Sequence, residues 1–264
     1  MLTGWIVDHW GWPGLFGFSL IFSLALYAMG AGLSYLWHFR LNRHRLMPDF
    51  VPDWRENRRA IRLSAISIAG NALFVLPIQL AIVGGYTRLY PAIERGWGWG
   101  TLAVIGAVLF AEGSIYWIHR ALHMPALFRW LHHRHHRFRM PTPFVSFAFH
   151  PLDDFAQSAP YHLYIFLVPM PEFAYFTLLG VAAVWTLLIH DRVVWMSPKL
   201  VNNSGCHTAH HWYYRHNYGN YFTFMDRLGG TYFDPAGLPD RFFAAKYGEL
   251  ERLAEFIPDT SSSI

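Results

Sequence analysis

The stretch "HRALHMPALFRWLHHRHH", residues 119–136, carries six histidines in eighteen positions, and thirteen of the chain's sixteen histidines lie between His119 and His216. Crowded imidazoles serve either a metal or a nucleic-acid surface, and spacing separates the two. In "HRALH", His119 and His123 stand four apart, which puts both rings on one helical face. In "HHRHH", His132, His135 and His136 share a face through their i, i+3 and i, i+4 spacings, and "HTAHH" repeats that arithmetic with His207, His210 and His211. Three helical segments can therefore each aim two or three imidazoles at a common point, as helical bundles do when they build dinuclear sites. Eight histidines exceed the four ligands of a tetrahedral ion and the six of an octahedral one, so the count implies two ions.

Two more histidines qualify as additions. His190 closes a long apolar segment, a position where an imidazole tends to be functional. His150 opens "HPLDD" and is a candidate ligand or a hydrogen-bonding support for one. His133 and His216 fall off the shared faces. Zinc hydrolysis is the alternative chemistry, because imidazole suits zinc as well as iron; against it, no "HExxH" is present and no acid stands inside the three boxes to act as a base. All-neutral ligands suit ions that change redox state, which favours iron. No flavin or dinucleotide glycine fingerprint is visible. No catalytic residue is expected beyond the metal ligands.

The elements that position these residues are apolar. The 264 residues are 53% hydrophobic and only 14% charged, against roughly 25% in soluble domains. No charge interrupts the segment between Arg62 and Arg88 or the run from Gly11 to Trp37. At 1.5 Å per residue each exceeds the roughly 30 Å of a bilayer's hydrocarbon core. Residues 96–118 form a third span interrupted only by Glu112, and 155–189 read as a membrane hairpin broken at Pro169 and Pro171. The first run lacks the basic start of a secretory signal and reads as a retained helix. The expected fold is all-α: a polytopic integral membrane protein with about four membrane-embedded helical elements and a cytoplasmic histidine-rich di-metal cap. One membrane domain covers 1–264, with N-terminal transmembrane helices in 1–118 and a catalytic region in 119–235 that includes the hairpin 155–189.

Seven arginines between 38 and 62, against Arg88 and Arg95 in the next loop, place the 38–62 segment on the cytoplasmic side. Following the crossings, every clustered histidine then emerges on that same face. The arginine run reads as topogenic and lipid-contacting rather than as a surface for nucleic acid. The lone Cys206 excludes an intrachain disulfide and a thiolate-rich metal site. In "DRLGG", Gly229 and Gly230 permit a tight turn and Asp226 with Arg227 reads as a structural ion pair, while "PDTSSSI", 258–264, reads as a frayed tail. A metal transporter would set polar ligands at mid-membrane along a path, whereas these boxes lie at and beyond the ends of spans.

The boxes resemble those of the fatty acid hydroxylase and sterol desaturase superfamily. "PTPFVSFAFHPLDDFAQSAPYHLY" (141–164), "IHD" (189–191) and "HTAHHWYYRHNYGNYFTFMDRLGGTY" (207–232) are most similar to the sterol C5-desaturase, or lathosterol oxidase, branch. The resemblance covers roughly residues 110–235. It implies oxygen-dependent desaturation between C5 and C6 of a sterol dissolved in the membrane, with hydroxylation of a lipid or fatty acyl carbon as the alternative outcome of the same chemistry. It further implies two iron ions held by His119, His123, His132, His135, His136, His190, His207, His210 and His211, with His150 matching the branch's "FHP" histidine. O2 would be the co-substrate and cytochrome b5 or a ferredoxin the electron carrier, in an endoplasmic reticulum or bacterial inner membrane. Two departures stand out: Arg192 occupies the place of a glycine in the branch's "IHDG", and His216 that of an asparagine.

Overall fold

A computed structural model describes residues 2–47, 50–92, 94–194 and 199–235. The 258–264 tail lies outside the described residues. Among the described residues, four helices are long and apolar enough to cross a membrane. The first span runs from Leu2 through Ser34 and continues as a π-helical stretch, Tyr35–Leu41. Near its start the chain leaves helical geometry at Gly11 (φ 63°), a conformation glycine reaches without a Cβ penalty, two residues before Pro13. The second span is Trp54–Val83 and the third Gly96–Leu122. The expected hairpin consists of a first arm, Pro151–Leu167, and a second arm, Glu172–Ile189, the latter being the fourth candidate span.

The second span begins eight residues before Arg62, because the Asp53 carboxylate caps it by accepting from the amides of Arg55 and Glu56. It ends before Arg88 at Gly84 and Gly85, the latter at φ 73°. Four of the seven arginines of the 38–62 segment, Arg55, Arg58, Arg59 and Arg62, thus belong to this helix and decorate its first turns.

The hairpin tip fixes how deep the arms reach. Leu89–Tyr90, just past the second span, pairs in parallel with Met170–Pro171. The Arg88 amide donates to the Ile165 carbonyl at 2.8 Å, and the Trp99 indole donates to the Pro169 carbonyl at 2.9 Å. The tip is therefore stitched to the end of the third span opposite His119, so both arms run the length of the bundle. Small residues allow this packing: Ala103, Ala107 and Ala111 of the third span are buried against Tyr161 and Ile165 of the first arm. Gly70 of the second span lies against Pro151, where an added Cβ would come 2.4 Å from the proline Cβ. Leu73, Leu102, Ile105, Leu109 and Val181 point outward and exposed, an apolar surface suited to lipid rather than water.

Candidate metal centre

The bundle's box-bearing end brings all nine expected histidines together, in two groups. His119, His123, His132, His136 and His210 form one; His135, His190, His207 and His211 form the other. Within each group the nearest ligand atoms lie within 4.8 Å of one another. His119 ends the third span and His123 caps it. His132 closes a short π-helical turn, Phe128–His132, which the turn His133–His136 continues. His190 caps the second arm, and the remaining three sit on the helix Ser204–Tyr213, which Asn203 starts by accepting from the amides of Gly205 and Cys206.

The division refines the reading of one shared face per box. Residues four apart stay together: His132 with His136, and His207 with His211. The third histidine of each box, His135 and His210, goes to the opposite group. Consecutive residues on a helix differ in direction by about 100°, so each "HH" pair feeds both groups and sets them side by side. His136 accordingly packs 4.8 Å from His211, and His135 4.5 Å from it, between ring centroids.

Oxygen acceptors fix the tautomers. The Nδ1 of His119 lies 3.0 Å from the Tyr218 carbonyl, that of His190 2.6 Å from the Thr186 carbonyl, and that of His210 2.7 Å from the His216 carbonyl. His132 uses Nδ1 on the Asp153 carboxylate at 2.7 Å, with both groups fully buried. Each of these four rings spends its N–H on oxygen, so Nε2 carries a lone pair pointing inward. The consequence is a frustrated contact: His119 Nε2 and His132 Nε2 face each other at 3.1 Å although the Nδ1 of each ring is already engaged with oxygen. His123 Nε2 and His210 Nε2 are buried with no hydrogen-bond partner. Buried polar atoms are ordinarily paired; converging lone pairs of this kind fit a cation. Burial reinforced by neighbouring imidazoles holds His135, His136, His207, His210 and His211 well below the usual histidine range, and burial draws His190 down to about 4. All six are neutral at physiological pH, the form that ligates metals.

Carboxylates that the box pattern did not single out hold this arrangement. Glu112, the one acid of the third span, accepts from the amides of Asn220 (3.2 Å) and Tyr221 (2.7 Å), while Asp226 accepts from those of Tyr218 and Gly219, both at 2.8 Å. Together they pin the loop whose Tyr218 carbonyl orients His119. Asp226 is therefore a loop anchor rather than the partner of Arg227, whose guanidinium instead donates to the Lys199 carbonyl and lies over the Tyr232 ring. The expected tight turn is present: Gly230 has φ 68°, and a Cβ on Gly229 would meet the Tyr116 hydroxyl.

Other sequence candidates fall elsewhere. His150 caps the first arm by accepting from the Leu152 amide and belongs to neither group. His133 is exposed, and His216 contributes its carbonyl to His210. Cys206 is buried in the box helix. Arg192 stands at φ 61°, which explains why a glycine suits this place; its buried guanidinium lies over the rings of Phe39 and Phe50.

A cavity of about 280 Å³ opens between the first and second spans and the hairpin, and reaches His119, His135, His190 and His207 at its inner end. Its walls combine aliphatic and aromatic side chains with many polar ones, among them Ser19, Asn71, Gln79, Asp154 and Gln157, a composition suited to a largely apolar molecule that also carries polar groups.

Comparison with known proteins agrees with this geometry. The fatty acid hydroxylase family model matches residues 104–231. A Delta(7)-sterol 5(6)-desaturase of Leptosphaeria maculans is 36% identical over 89% of this chain and 66% of its own length. A probable Delta(7)-sterol 5(6)-desaturase of Neurospora crassa is 38% identical over 84% of this chain and 64% of its own. A third, from Aspergillus fumigatus, is 39% identical over 89% and 70%. This chain spans about two thirds of the length of these relatives. The similarity extends well beyond residues 110–235, into the first two spans. No solved structure matches.

Proposed function

The chain belongs to the fatty acid hydroxylase family, and from that premise we propose that it is a membrane oxidoreductase that introduces the C5–C6 double bond of a sterol. The observation that carries this reading is the convergence of nine histidines, in groups of five and four, beside a cavity between membrane-length helices that four of them line. The names of its relatives supply the substrate class.

Two iron ions would be held by His119, His123, His132, His136 and His210 on one side and by His135, His190, His207 and His211 on the other. The chemistry such a pair would supply when bound is O2-dependent removal of two hydrogens from adjacent carbons, in which O2, those two hydrogens, two electrons and two protons leave as two waters. The chain's own residues do the rest. Asp153 and the carbonyls of Tyr218, Thr186 and His216 orient the rings. The apolar cavity admits a lipid laterally and keeps bulk water from the reacting carbons. Electrons come from a separate carrier, cytochrome b5 or a ferredoxin. The arginine-rich start of the second span supports a cytoplasmic location for the histidines, in the endoplasmic reticulum membrane of a eukaryote or the inner membrane of a bacterium.

The test is lipid analysis of a yeast strain that lacks its own sterol C5-desaturase and expresses this chain, with the His210→Ala variant alongside. New 5,6-unsaturated sterol with the wild type alone is the expected result. Oxygenated lipid in its place would move the assignment to hydroxylation, and retained activity in His210→Ala would contradict the ligand set.

A further inference from the structure

One polar stripe in the cavity wall has no part in holding the histidines. Asp154, Gln157, Ser158 and Tyr161 recur at i, i+3, i+4 and i+7 along the first arm and all line the cavity. Asp154 begins the stripe. Its side chain is buried, and its Oδ2 accepts from the Ser67 hydroxyl of the second span at 2.8 Å. Among the described residues no hydrogen bond reaches its Oδ1 and no cation pairs with it. The neighbouring Asp153 differs: its two oxygens are committed, one to His132 and one to the Gln157 amide at 2.8 Å. A buried carboxyl left half-satisfied is costly unless something in the cavity completes it.

Place narrows what that something is. Asp154 follows directly on the residue that holds a histidine ligand, so a group bound to it sits beside the histidine end of the cavity rather than at the far end. The proposed reaction, on which this step rests, acts at C5 and C6, and the hydroxyl of any sterol is on C3, two carbons from C5. A hydroxyl seat for such a substrate must therefore lie close to the metal groups.

We propose that Asp154, supported by Ser67 and flanked by Gln157, binds the substrate's hydroxyl group and so sets which ring carbons face the histidines. The hydroxyl donates to Oδ1 of the carboxylate, and the Gln157 carbonyl oxygen, left over after its amide donates to Asp153, offers a second acceptor. The competing view makes Asp154 a strut that ties the second span to the first arm through Ser67.

Binding without turnover separates the two. Full-length protein in nanodiscs, metal-loaded but without reductant, is titrated with a radiolabelled Δ7-sterol displaced by the unlabelled sterol, by its 3-deoxy analogue and by its 3-ketone, for wild type, Asp154→Leu and Asp154→Asn. The expected wild-type preference for the hydroxyl over the 3-deoxy compound is about tenfold or more, since losing one hydrogen bond to a charged group is worth roughly that. Asp154→Leu should reduce the preference to near unity while still binding both compounds. Asp154→Asn, nearly isosteric, should gain affinity for the 3-ketone, because its amide can donate to a carbonyl where a carboxylate at alkaline pH cannot. An unchanged hydroxyl preference in Asp154→Leu, an equal loss of all ligands, or no ketone gain in Asp154→Asn overturns the assignment and leaves the sterol reading standing. Failure of the wild type to bind any of the three overturns both.

Discussion

Asp153→Asn is the sharpest probe of the two-group arrangement. The carboxylate meets His132 Nδ1 at 2.7 Å with neither group exposed, so no solvent screening discounts the interaction. His132 belongs only to the five-histidine group. Removing the charge leaves the ring in place but lowers the basicity of its Nε2 and unlocks its tautomer. Carboxylates in this position are typically worth 10- to 100-fold in metal affinity, or roughly 1.4–2.8 kcal/mol. The expectation is asymmetric: one ion per chain is released at about 10- to 100-fold lower chelator than in the wild type, and the second is held as before. Metal content per chain after dialysis against graded chelator reads this directly. Because Asp153 also accepts from Gln157, Gln157→Leu serves as the control and should leave both ions in place. Simultaneous loss of both ions, or no change, would refute the independent assignment of His132.

Two further outcomes follow from the same geometry. His135→Ala and His136→Ala alter adjacent residues but different groups; mass spectrometry of the native protein should find that the first lowers occupancy of the four-histidine site and the second that of the five-histidine site, with the larger loss in His135→Ala, where only three ligands remain. Glu112→Gln sets an amide N–H against one of the two backbone donors, Asn220 or Tyr221; the unmatched amide should destabilise the protein by about 1–3 kcal/mol, read as a lower unfolding temperature in detergent.

The parts of this protein most legible in the sequence are those set by local spacing. Charge-free runs marked the spans, although the second helix starts earlier than its charge-free core because a capping aspartate, not the last arginine, decides where the helix begins. The prolines at 169 and 171 marked the hairpin's break. The boxes marked eight of the nine members of the two histidine groups, and the apolar run that His190 closes marked the ninth. What spacing could not give is the sorting of those members, since that depends on how three helices are inclined to one another. Nor could it give the carboxylate layer: Glu112 read as an interruption in a span and Asp226 as half of an ion pair, because each acts on backbone amides about 110 and 8 residues away, respectively. The positive φ at Arg192 was equally invisible from composition.

Sorting the histidines also gives the centre a direction. The cavity touches one member of the five-histidine group, His119, and three members of the four-histidine group, His135, His190 and His207. The group with fewer imidazoles is thus the one that borders the cavity more extensively. The five-histidine group is backed by the buried Asp153, which meets His132. A molecule arriving between the spans would meet the four-histidine group first, with the five-histidine group behind it, joined to it through the consecutive pairs His135–His136 and His210–His211. The doubled histidine that ends the second and third boxes therefore does more than add ligands: it sets the two sites side by side and keeps one of them turned toward the cavity.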